Sequence, residues 1–375
     1  MKVLRYSIFF LITFSCSGSW AQQSVSDAWS KATSESQPSD ATSAKPAVPI
    51  PGLDPMTGLP FYKSIHENWK SLSVKGSEFR HEPPLVGQVD EQERFTRTLV
   101  ALKWRPGDAL DVYVIMPKGV TKPPAVLYLY NYMEDTDRFR NNDWCDRVTM
   151  GGVAAVGFVS ALSGHRFHDR PMKQWFVSEL QESLGSTVHD VQFILDYLDS
   201  RGDIDMSRVG MFGQGSGGTI AILAAAADPR IKAIDVLEPW GDWPVWLAKS
   251  SVVQDDPDKD RYREKEFLKQ VKPLDPVKWL PKLKSTKIRI QQISEYDDSV
   301  PTDCQNRIKK AAPKQAEVVR FDTTMQIASV EGGGRMWDWM RGALAKPRSP
   351  QNAGTTNTAA DQPPAPSSAA VQNKP

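Results

Sequence analysis

Short apolar runs, each bounded by polar or turn-forming positions, recur through the middle of the chain. "FTRTLVALKW" and "LDVYVIMPKG" alternate or run apolar with Gly107-Asp108 between them, a spacing that predicts an antiparallel hairpin. Further runs follow at 125–130 ("AVLYLY"), 153–162 ("VAAVGFVSAL"), 208–212 ("RVGMF"), 231–237 ("IKAIDVL"), 287–293 ("KIRIQQI") and 316–321 ("AEVVRF"). Continuous apolar runs suit strands covered on both faces. Helical stretches lie between them. In "STVHDVQFILDYLDS", Val188, Val191, Ile194, Leu195 and Leu198 share one face, Thr187 and Asp190 have capping-box spacing, and His189 falls near the helix start as a surface or capping residue. Strands alternating with helices predict an α/β chain with a doubly wound, mostly parallel sheet flanked by helices.

The two ends read differently. "MKVLRYSIFFLITFSCSGSWAQQ" has Lys2 and Arg5, a short apolar centre and small residues, the pattern of a secretory signal cut after Ala21. The apolar run is too short to span a membrane, which takes about 20 residues. The expected organisation is a signal at 1–21, a linker at 22–50, an N-terminal extension at 51–94, the α/β domain at 95–346 with a cap at about 240–282, and a tail at 347–375. The linker and tail are rich in Ser, Ala, Thr, Gln and Pro and bury too little apolar surface to offset ordering. Loss of Lys2 and Arg5 takes the formal charge from +1 to just below zero, which gives no electrostatic case for nucleic acid. Cys145 and Cys304 remain in an exported chain, either paired or as small buried hydrophobes.

The run "RVGMFGQGSGG" followed by "TIAILAAAADPRIKA", with the opening hairpin and the strand order over roughly 95–345, resembles the α/β-hydrolase superfamily in its dienelactone hydrolase, acetyl xylan esterase and prolyl-oligopeptidase-like branch. The resemblance implies a serine on a sharp strand-to-helix turn, G-x-S-x-G, with an acid and then a histidine later in the chain. A serine hydroxyl needs an imidazole to take its proton and an acid to orient that imidazole. With Gly213 and Gly217 as the motif glycines, the nucleophile's place falls on Gly215; a one-residue slip would put Ser216 there. The strand "RVGMF" favours the first register, and glycine suits an elbow that demands an unusual backbone conformation. "IRIQQISEYDDSVP" maps the acid to Asp297, with Asp298 as the near alternative. The loop expected to hold the histidine, "VVRFDTTMQIASVEGGG", has Met325 and Gln326 nearest its place, and all five histidines precede Asp297. The order Ser, Asp, His is not completed.

Other residues bear on what the cleft does. His165 and His168 in "SGHRFHDRP" leave the carboxyl edge of the sheet, where ligands bind in open α/β folds, as a base, as metal ligands with Asp169, or as hydrogen-bonded loop residues, the last favoured because no third histidine-rich segment accompanies them. No metal ligand set and no cofactor motif is expected. Asn131 and Tyr132, after "AVLYLY", fall where oxyanion-hole donors would stand, and Gln214 precedes the elbow. Trp240, Trp243 and Trp246 recur at intervals of three near the same edge, as a face for sugars or as packing of a cap. The favoured expectation is a secreted hydrolase-fold protein that has lost catalysis and binds a carbohydrate or small ester, its protein partner unspecified. The alternative is an active serine esterase or peptidase that uses Ser216 with an unconventional base.

Overall fold

The computed structural model of the chain describes residues 67–105, 108–132, 134, 136–161, 163, 166, 176–294, 299–327 and 335–346. They fall in one unit, Met1–Leu344, except Ala345 and Lys346, which belong to a second unit, Ala345–Pro375. The expected signal, linker and nearly all of the tail lie outside the described residues.

Nine strands form one mixed sheet: β1 (Leu85–Glu91), β2 (Phe95–Arg105), β3 (Asp108–Pro117), β4 (Ala125–Leu129), β5 (Ala154–Gly157), β6 (Val209–Gln214), β7 (Ile231–Leu237), β8 (Lys287–Ile293) and β9 (Glu317–Phe321). Their order is β1-β2-β3-β5-β4-β6-β7-β8-β9. The β1, β2, β3 and β5 pairings are antiparallel, and all pairings from β5 through β9 are parallel. Hence the sheet is mostly parallel, as the apolar runs predict. The run at 153–162 yields only a four-residue strand. β1, whose Leu85, Val86 and Val89 stay exposed at the sheet edge, has no counterpart in the expected elements.

Successive strand residues enter opposite layers. Ala125, Leu127 and Leu129 of β4 join one apolar cluster, and Val126 and Tyr128 join the other. That period of two explains why the strand reads as continuously apolar. Helices α1 (Asn142–Thr149) and α7 (Arg335–Ala343) contribute Trp144, Val148, Trp337 and Met340 to one layer. Helices α2 (Leu180–Arg201) and α3 (Ser216–Ala227) contribute Leu184, Val188, Ile220 and Leu223 to the other. Each such fully buried Leu, Ile or Val contributes about 1.5–3 kcal/mol. The remaining longer helices are α4 (Trp243–Lys249), α5 (Lys265–Val271) and α6 (Thr302–Ala311).

α2 begins at Leu180, so Thr187, His189 and Asp190 are interior, buried residues rather than a cap and a surface histidine. They are buried because each finds a partner. The Thr187 hydroxyl donates to the Ser183 carbonyl (2.6 Å) and accepts the Ala161 N–H (2.9 Å). Asp190 joins an ion cluster. Arg166 donates two bonds to Asp108 (2.8 and 2.7 Å) and one to Asp190 (2.9 Å). Arg105 donates to Asp108 (2.6 Å) and Asp190 (3.1 Å), and its Nε lies 3.2 Å from Glu67. Trp104 adds an indole N–H to Asp190 (2.8 Å). Burial alone would pull the Arg166 pKa down; Asp108 and Asp190 more than reverse it and hold the charge. His189 Nδ1 lies 2.6 Å from Glu67, and its Nε2 lies 2.6 Å from the Ser71 carbonyl. This straps residues 67–74 along α2, and Gln192 secures the strap through Leu72 O (2.7 Å) and Val74 N (3.0 Å).

Cys145 and Cys304 are unpaired and lie in different layers. Burial pushes their thiols up to about 11 and about 12, so both behave as small hydrophobes.

Candidate functional site

β6 ends at Gln214 and α3 starts at Ser216, which leaves a single residue, Gly215, to turn the chain. Its φ of 55° and ψ of −119° fall in a region that costs a side-chain-bearing residue about 1–3 kcal/mol. The turn is held by the Gly215 N–H donating to the Leu237 carbonyl (2.9 Å) and by the Gly215 carbonyl accepting from Thr219 N–H (3.1 Å). The flanking glycines serve close approach instead. A Cβ on Gly213 would collide with the Gly217 carbonyl, and one on Gly217 with the Leu129 carbonyl. The elbow residue is therefore Gly215, and Ser216 is the first residue of the helix.

Ser216 is fully buried. Its hydroxyl accepts the Tyr132 N–H (2.8 Å) and donates to Asn131 Oδ1 (3.2 Å), while its own N–H donates to the same Oδ1 (3.2 Å). The loop after β4 and the helix start are thus laced together. A Cβ built on Gly215 would collide with Asn131 Oδ1 and stand 2.8 Å from Asn131 Cγ and 3.3 Å from Trp240 Nε1. The space above the elbow belongs to a carboxamide and an indole edge.

Aromatic rings wall this region. Tyr132 stacks on Phe176 (4.1 Å between centroids), and burial raises its phenol pKa. Trp240 meets Phe176 edge-on at 5.9 Å and stacks on Trp246 at 4.6 Å, and Trp243 stands against Trp246 at 5.7 Å. All three tryptophans are at most 2% exposed, so their faces are spent on one another and on the apolar layer. Trp246 donates its indole N–H to the Ser299 carbonyl (2.9 Å), which also accepts the Ser250 hydroxyl (2.8 Å). That fixes the far side of the loop after β8. Its near side is fixed by Glu238, which accepts the Ile293 N–H (2.7 Å) from a backbone with φ 48°. The position of Glu238 directly after an apolar strand and before Pro239 was the available signal for this residue.

Asp297, Asp298, His165 and His168 lie outside the described residues. Arg166, between the two histidines, is anchored in the ion cluster. Met325 is 66% exposed, and Gln326 turns its side-chain oxygen back to the Asp322 N–H (2.7 Å). Gln214, the last residue of β6, is half-buried. Of the described histidines, His189 is held at the strap and His81 Nδ1 lies 2.9 Å from the Glu82 carbonyl; neither bonds an elbow residue. Among the described residues no cluster of three or more His, Cys, Asp or Glu could hold a metal ion, and no helix is long and apolar enough to cross a membrane. A depression of about 520 Å³ at the amino ends of β8 and β9, lined by Lys287, Glu317 and Trp339, opens at the opposite end of the sheet from the elbow.

No protein-family model matches the chain. Among solved structures it is similar to acetyl xylan esterase 1 from Thermoanaerobacterium sp. JW/SL YS485, at 15% identity over 72% of this chain and 91% of that one, with a TM-score of 0.54. The acetyl xylan esterase from Paenibacillus sp. R4 is similar at 15% identity, 71% and 91% coverage, and a TM-score of 0.54. The fold is that of the α/β-hydrolases. A 165-residue stretch is 27% identical to "Putative hydrolase YtaP" from Bacillus subtilis (strain 168), covering 39% of this chain. The chain spans about half (53%) of the curated relative it matches. In an α/β-hydrolase the elbow residue carries the nucleophile, and two N–H groups, one from the next residue and one from an earlier strand-to-helix loop, take the oxyanion. Beside Gly215, the Ser216 N–H and the Tyr132 N–H both donate to this chain's own side chains.

Proposed function

We propose that this chain is an exported α/β-hydrolase-fold protein that does not turn over esters and acts as a binding module. The observation that carries the reading is Gly215 at the elbow with the Asn131 carboxamide in the space a nucleophile's Cβ would need. Loss of a serine nucleophile costs on the order of 10⁶ in turnover, about 8 kcal/mol of barrier. The exclusively buried, internally bonded hydroxyl of Ser216 counts against its use as a substitute. The proposed organisation keeps a signal at 1–21 and a cap at about 240–282. A carbohydrate is a poorer ligand than the aromatic count suggests, since the three tryptophan faces are buried; a small acyl compound suits the elbow better.

A fluorophosphonate probe tests the reading, because labelling requires an activated serine. No labelling of the purified protein is expected. Stoichiometric labelling that Ser216→Ala abolishes would establish the active-serine reading instead. For export, mass spectrometry of secreted or periplasmic material should give a chain beginning near Gln22, and an intact Met1 would refute the cut.

A further inference from the structure

We propose that the end of the sheet opposite the elbow is a binding face for a carboxylated polysaccharide. Two depressions meet there, of about 520 and about 240 Å³, with Ser285 and Thr286 lining both. Trp339 and Lys284 line the first, and Trp279 and Lys282 the second. Residues 276–294 carry Lys278, Lys282, Lys284, Lys287 and Arg289 without an acid, and residues 304–316 carry Arg307, Lys309, Lys310 and Lys314 without one. Gln315 ties the two segments together by donating to the Leu283 and Lys284 carbonyls (3.3 and 2.9 Å). A chain of formal net charge +1 thus gathers positive charge at one end.

Local needs account for part of that charge. Lys287 Nζ donates to the Ala343 carbonyl at the end of α7 (2.6 Å), and Lys232 Nζ to the Pro229 carbonyl (2.7 Å). Lys309 and Lys310 lie in the last turn of α6, where a cation offsets the helix dipole, and Arg289 is bound to Asp235 (2.9 Å). Lys282, Lys284 and Lys314 serve no such need. They are exposed, and their ammonium groups make no hydrogen bond or ion pair among the described residues. The acids of the first depression are already engaged: Glu317 accepts the Trp339 indole N–H (2.8 Å), and Asp338 pairs with Arg341. The walls decide the rest of the ligand's chemistry. Trp279 and Trp339 are half-buried, so each depression offers aromatic surface, with Lys282 Nζ 3.9 Å from the centre of the Trp279 ring. Aromatic surface packs on sugar rings while the ammonium groups bond their carboxylates. A phospholipid surface fits worse, because none of the exposed large apolar residues, such as Val86 or Met325, lines either depression to insert into it.

The probe is a fluorescein-labelled oligogalacturonate, titrated with the full-length protein and read by anisotropy. Binding should saturate, weaken about tenfold between about 0.05 and about 0.3 M sodium chloride, and be missing for a neutral oligogalactoside of the same length. Lys282→Gln/Lys284→Gln should weaken it about tenfold, and Lys314→Gln alone by a smaller factor. Lys70→Gln/Lys75→Gln, an equal loss of charge on the strap along α2, should leave the affinity within about twofold. Failure of the wild type to bind, or equal weakening by the strap variant, would overturn the proposal. So would equal or tighter binding of oligoglutamate, of a single-stranded RNA or of phosphatidylglycerol vesicles, since the face would then read charge without sugar. Fluorophosphonate labelling of Ser216 would sink the unarmed reading of the elbow and leave this face untouched.

Discussion

The elbow and the α2 ion cluster make opposite use of polar groups. At the elbow, where α/β-hydrolases concentrate their chemistry, this chain has glycines, a carboxamide and a serine bonded inward. Along α2, where such folds need only packing, it buries Arg105, Arg166, Asp108, Asp190, Glu67 and His189 in one network. Buried charges in a low-dielectric interior stand only if every member is partnered. The ion cluster fastens the 67–74 strap and Arg166 to the sheet, while the described elbow residues Gly213, Gly215, Ser216, Gly217 and Asn131 are uncharged. Backbone geometry and glycine packing specify the turn, independent of any reactive side chain.

The sharpest way to break that contrast is Asp190→Ala. It strips Arg105, Arg166 and Trp104 of a shared acceptor and leaves buried positive charge, which should cost about 3–5 kcal/mol in urea unfolding. A cost below about 1 kcal/mol would mean the cluster is dispensable, and the contrast between the regions would fail.

Next in size is Gly215→Ser. Positive φ costs about 1–3 kcal/mol, and the new Cβ must also displace Asn131. Adding Asn131→Ala should restore part of the loss. Hydrolysis of a short-chain aryl ester extends the test: Gly215→Ser with Met325→His or Gln326→His should remain inactive while Asn131 is present and gain activity only when Asn131→Ala is added. Activity of the first double variant would show that Asn131 does not block the elbow.

The smallest effect is acid loosening of the strap. Burial pushes the Glu67 carboxyl up, but His189 and Arg105 more than reverse it and set its pKa below the ordinary value. Its stabilisation is therefore present above the unfolded-state carboxyl pKa and is lost as pH falls through the lowered folded value. Asp108 and Asp190 face the same arginines. Hydrogen exchange over 67–74 should accelerate below about pH 4 in the wild type, and Glu67→Gln should exchange fast already at neutral pH. Equal protection in both would remove Glu67 from the strap.

Much of this was present in the order of residues. β4 falls within "AVLYLY", because a strand buried on both faces leaves an uninterrupted apolar run. The Gly215 turn is legible because four glycines follow a strand and open an alanine-rich helix, and the absence of any histidine after Asp297 is a property of sequence alone. What tertiary structure decided are the matters of partnership. Thr187, His189 and Asp190 look like a capped, solvated helix start until Ala161, Glu67 and Arg166, distant in sequence, arrive to partner them in turn. The tryptophans at intervals of three give no sign of which way their faces turn, and packing turned them inward. Asn131 was placed by sequence near the oxyanion donors, but only the approach of β4 to α3 puts its oxygen on Ser216. Local periodicity writes backbone structure into the chain; the partners of these polar side chains depend on contacts across 24 to 122 residues, which no short pattern encodes.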